Sequence, residues 1–132
     1  EIFQFLIEEG VKLLKNSVEI KTEKLESSID KIKAVVLIEI KVLVKYEDFM
    51  TIVLSEIWGN GPRSILCKKY VFEYIQMINK KEIIDGDKNV IASGIFGFTC
   101  SSLIYKMRTD KEINVQELYS EIEKTFIRKL KR

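Results

Sequence analysis

Apolar positions recur at three- and four-residue steps through most of the chain, and this spacing predicts helices. The first, from about Ile2 to about Leu25, carries Phe3, Leu6, Ile7, Gly10, Leu13, Leu14 and Val18 on one face, with a more polar second half from Glu19 to Glu26. Ser27-Ser28-Ile29-Asp30 has capping-box spacing, so Ser27 and Asp30 satisfy free amides at the next helix start. That helix is nearly continuous in apolar residues from Ala34 to Val44, interrupted only by Glu39 and Lys41. Its β-branched density would also suit a strand, but its length and its cap predict a helix with neighbours on most sides.

Tyr46-Glu47-Asp48 predicts a short break, with Asp48 capping a helix through Phe49, Ile52, Val53 and Ile57. Gly59-Asn60-Gly61-Pro62 ends it, and Pro62 suits the first position of the following helix, whose last turn holds Lys80 and Lys81. Asp85-Gly86-Asp87 reads as a turn in which Asp87 caps a fifth helix, and Asn114 and Glu117 open a last one at capping-box spacing. No repeat, low-complexity tract or hairpin interrupts the series. The expectation is an all-α bundle of about six helices in one domain spanning residues 1–132.

The fifth helix has no charged residue from Val90 to Tyr105. A surface helix is polar on about half its circumference, whereas this one has no side that wants water. It is too short and too rich in Gly and Ser for a membrane span, which needs about 20 apolar residues. A second copy of the chain can cover the side its own helices leave bare. The expected homodimer interface is Ser93, Gly94, Gly97, Ser101 and Ile104 with Leu118, Ile122 and Phe126 of the last helix, two helices from each subunit. The alternative is that the glycines serve packing within one chain.

Composition narrows the chemistry. The chain has 132 residues, 46% hydrophobic and 32% charged, with one proline and a formal net charge of +2. The only basic cluster, Arg128, Lys129, Lys131 and Arg132, reads as a solvated helix end rather than a nucleic-acid patch. With no histidine there is no Ser-His or Cys-His catalysis and no His-based metal site. Cys67 and Cys100 build neither a disulfide framework nor a zinc site alone, and a reducing cytoplasm is expected. No phosphate loop and no secretion leader are evident. Neither an enzyme, a metal site nor a cofactor is expected.

Two carboxylates stand out. Glu39 lies on the stripe Ile32, Val36, Leu43, Tyr46, and Glu56 follows Phe49, Ile52 and Val53. A buried carboxylate is costly unless paired. Each is therefore either salt-bridged or snorkelling, or it lines a cavity and meets a cationic or hydrogen-bonding ligand. Trp58, Tyr70, Phe72, Tyr74, Met77, Phe96 and Phe98 form the kind of set that is usually plain core and that also lines apolar pockets between helices. The candidate ligand-binding set is Glu39, Leu43, Glu56, Trp58, Tyr70, Tyr74, Met77 and Phe98.

Three phrases in order carry a resemblance. Ile2-Phe3-Gln4-Phe5-Leu6 resembles the start of the long connecting helix of TetR-family transcriptional regulators. Tyr46-Glu47-Asp48-Phe49 followed by Leu54-Ser55-Glu56 resembles that family's break between core helices, with Glu47 where a proline is common, and Asp85-Gly86-Asp87 resembles the opening of its dimer helix. The chain as a whole is similar to the C-terminal domain of such regulators, and nothing in it resembles their helix-turn-helix. The resemblance implies a bacterial repressor's sensor domain that dimerises through its last two helices. It binds a small, largely apolar effector and reaches DNA only through a segment absent from this chain. The abrupt opening at Glu1 fits a cut inside a larger protein. A helical interaction or oligomerisation module without a pocket is the alternative.

Overall fold

The computed structural model describes residues 2–57, 59–79, 88–109 and 112–127, without the side chains at 79, 88–92 and 126. Six α-helices account for nearly all of it: α1 Ile2–Thr22, α2 Ser28–Lys45, α3 Glu47–Glu56, α4 Pro62–Asn79, α5 Lys88–Thr109 and α6 Val115–Ile122, which runs on as a π-helical turn over Glu123–Ile127. The described residues contain no strand. Expectations for Lys80, Lys81, the Asp85-Gly86-Asp87 turn and the basic C-terminal residues lie outside them.

Local chemistry explains most helix ends. The Ser27 hydroxyl accepts the Asp30 amide, and Asn114 Oδ1 accepts the Glu117 amide at 3.0 Å. Pro62 occupies the first position of α4, where a missing N–H is harmless. Two boundaries differ from expectation. α1 stops at Thr22, because the polar run after it has no apolar face to hold against the bundle. α3 begins at Glu47 with no side-chain cap, so Asp48 sits inside the first turn, where its charge suits the helix dipole. Replacing Asn114 with Ala removes the better-formed cap, and a loss of about 1 kcal/mol in urea denaturation is expected.

α1, α2, α5 and α4 form a ring in which each helix packs on the next, with α6 laid against the outer side of α2 and α3 bridging α2 and α4. α2 is the axis of the core. Ile32, Val35, Val36, Ile38, Glu39, Ile40 and Leu43 are all buried, which uses up most of its circumference. Tyr74 and Ile78 from α4, Ile95 and Leu103 from α5, and Leu118 and Ile122 from α6 complete this cluster. A smaller one, Phe3, Ile7, Val53 and Cys67, ties the beginning of α1 to α3 and α4.

Candidate functional site

The ring closes on a carboxylate. Glu39, midway along α2, is 1% exposed, and α4 delivers Tyr74, whose hydroxyl donates to Glu39 Oε2 at 2.5 Å. From α5 the Phe96 ring meets Tyr74 edge-on at 5.5 Å, and Thr99 and Cys100 are buried nearby. Thr99 lies close enough to influence the carboxyl, but its hydroxyl donates to the Ile95 carbonyl, and Glu39 Oε1 has no hydrogen-bond partner among the described residues. An unmet buried acceptor of this kind costs about 1–3 kcal/mol.

Burial pushes the Glu39 carboxyl up to about 7, against the opposing pull of Tyr74 and Thr99. Burial and then the Glu39 charge hold the Tyr74 phenol well above its usual range, and the same two causes raise the Cys100 thiol. Neither group supplies a nucleophile at neutral pH.

Beside Tyr74 lies a cavity of about 30 Å³, bounded by residues including Leu43 and Tyr74 together with Leu14, Leu54, Val71 and Phe96. It is room for a water or two, but its wall is apolar. Gly10 and Met50 also border it, and the same two residues border an outer groove of about 400 Å³ formed by Leu6, Glu9, Leu13, Tyr46 and Phe49. Leu6 and Leu13 are 44% and 39% exposed there.

The expected ligand set is divided by the fold. Glu39, Leu43 and Tyr74 come together. Tyr70 is drawn to α1, where its hydroxyl donates to Glu8 Oε1 at 2.5 Å and Gln4 donates to the same oxygen at 3.0 Å. Glu56 ends α3 beside Cys67, whose thiol is raised first by burial and then by that carboxylate. Met77 packs half-buried on the main core away from the cavity, and Phe98 lines a different groove, between α5 and α6. Trp58 lies outside the described residues. Phe96 and Thr99 join the site instead. The run Ile95, Thr99, Leu103 at four-residue steps marks the inward side of α5, but nothing in the sequence pairs it with Glu39. The Tyr70 contact lowers the Glu8 carboxyl, so in Tyr70→Phe Glu8 titrates closer to its ordinary 4.5, as read by carboxyl NMR.

The expected dimer residues are likewise divided. Ser93, Gly94, Gly97 and Ser101 are exposed, and Ile104 is 47% exposed. A Cβ built on Gly94 or Gly97 meets nothing within 4 Å among the described residues. Leu118 and Ile122 behave differently from partner knobs, being 3% and 2% exposed inside the chain's own core. α6 has one apolar stripe, and α2 takes it. They still floor a groove of about 430 Å³ edged by Ser101, Tyr105, Lys106 and Thr125. The Phe126 side chain lies outside the described residues.

No protein-family model matches the chain, and no curated protein matches it. Among solved structures it is similar to a Clostridium perfringens protein named "putative fatty acid metabolism regulator", with a TM-score of 0.82 and 27% identity over 92% of this chain and 71% of that one. The six-helix architecture is thus shared with a protein named as a regulator. No helix among the described residues is long and apolar enough to cross a membrane.

Proposed function

We propose that this chain, as one domain over residues 1–132, is the effector-sensing and dimerising part of a TetR-like transcriptional regulator of bacterial, cytoplasmic type. The observation that carries the reading is the likeness over 92% of the chain to a protein named as a regulator of fatty acid metabolism. A small, largely apolar effector is consistent with that name and with the apolar cavity at Tyr74. The uncovered small-residue side of α5 supports a homodimer. DNA binding, in this reading, belongs to a helix-turn-helix outside these residues.

The mechanism follows from which helix holds which. Tyr74 joins α4 to Glu39 on α2, while Tyr70 and Glu73 on the same helix hold Glu8 and Lys15 of α1, the ion pair at 3.8 Å. An effector that displaces Tyr74 shifts α4, and α1 moves with it. The effect requires different affinities for the two arrangements.

The small volume of the interior cavity favours a second reading, an interaction module with a filled core. Thermal melts against a chemically varied panel of apolar compounds separate the two. The sensor is stabilised by about 2.7 kcal/mol at a hundredfold excess over Kd, whereas a filled module melts at one temperature throughout.

A further inference from the structure

Two spaces lie on either side of one thin wall. The cavity of about 30 Å³ against Tyr74 and the surface groove of about 400 Å³ between α1 and α3 share Gly10 and Met50. Gly10 brings no side chain to that wall, and a Cβ there would stand 3.6 Å from Phe49 Cε1 and 3.7 Å from Met50 Cε. Met50 is unbranched and changes rotamer at low cost. Its movement joins the two spaces, and a passage opened by one such side chain admits another of the same girth.

The two spaces differ in polarity. The wall of the cavity is almost wholly apolar. Among its lining residues Tyr74 alone carries a hydroxyl, amide or charged group, and that hydroxyl is spent on Glu39 Oε2. Glu39 itself borders neither space. A polar group carried inward would be buried without a partner. The groove is different: Glu9 and Tyr46 border it and are exposed to water, beside Leu6 and Leu13, whose apolar surface is only partly covered.

Resting on the sensor reading above, we propose that the effector is a single unbranched alkyl chain with one polar end, bound tail first. The chain lies in the α1–α3 groove over Leu6 and Leu13 and passes between Gly10 and Met50. Its apolar end fills the cavity and presses on the Tyr74 ring, while its polar end stays in water by Glu9 and Tyr46. The protein therefore reads the far end of the chain: a molecule of the same length with a polar group at both ends is refused, whatever the chemistry of its head.

The test compares two isomeric octanediols on the whole chain, by calorimetry and thermal shift. One has both hydroxyls on adjacent carbons at one end, and the other has a hydroxyl at each end. The first is expected to bind about tenfold more tightly, or better, although both carry the same groups. The Met50 methyl signal in NMR shifts as it binds. Val71→Ile, which adds one carbon to the cavity wall, expels one carbon of the chain and weakens binding about fourfold. Gly10→Leu, which fills the passage, weakens it further while leaving the circular dichroism spectrum unchanged. Equal affinity for the two isomers overturns the proposal, as does a Met50 signal that stays still or undiminished binding by Val71→Ile. So does failure of both diols to bind. In that last case the sensor reading survives if other compounds of the wider panel stabilise the protein, and falls with the proposal if none does.

Discussion

Raising the pH through the window from 4.5 to about 7 is expected to cost this protein about 3 kcal/mol of stability, with no further loss from Glu39 above it. The folded carboxyl holds its proton up to about 7, whereas in the unfolded chain it lets go near 4.5. Between those values the folded state therefore carries the extra proton, and stability falls as pH rises. The groups facing Glu39 are Tyr74 from α4 and Thr99 and Cys100 from α5. The phenol and thiol are pushed upward and stay protonated throughout, so they do not mask the effect. In thermal melts the loss corresponds to roughly 10 °C for a chain of this size. Glu39→Gln keeps an acceptor for Tyr74, cannot ionise, and should melt with no comparable step across that window. A step of the same size in the variant would mean that some other group titrates.

The second large effect is on association. Gly97→Lys places a long charged side chain on the open side of α5, where the added Cβ meets nothing within 4 Å among the described residues. The subunit keeps its fold, since lysine is a better helix former than glycine by roughly 0.5–1 kcal/mol. In the proposed dimer, close approach of a second copy is then blocked and a desolvated charge is placed in the contact. A hundredfold loss of dimer affinity, about 2.7 kcal/mol, is expected in sedimentation equilibrium. An unchanged dimer would place the interface elsewhere.

Helix order was legible because periodicity and caps are local signals. Ser27, Pro62 and Asn114 sit where their chemistry requires. Glu39 announced itself by standing on an apolar stripe. What sequence spacing could not supply was which helix crosses which. Tyr70 and Tyr74 share one face of α4, yet α1 crosses near Tyr70 and captures it with Glu8, leaving Tyr74 alone for Glu39. Phe96 and Phe98, two residues apart, point to nearly opposite sides of α5, so one meets Tyr74 edge-on and the other lines the α5–α6 groove. Leu118 and Ile122 illustrate the same limit, since an apolar stripe does not say whether it faces the chain's own core or a partner's.

The uncharged stretch of α5 gives the account its most direct check. Light scattering on the purified chain at micromolar concentration should report twice the 15.4 kDa of one subunit. A mass of one subunit, unchanged as concentration rises, would contradict it.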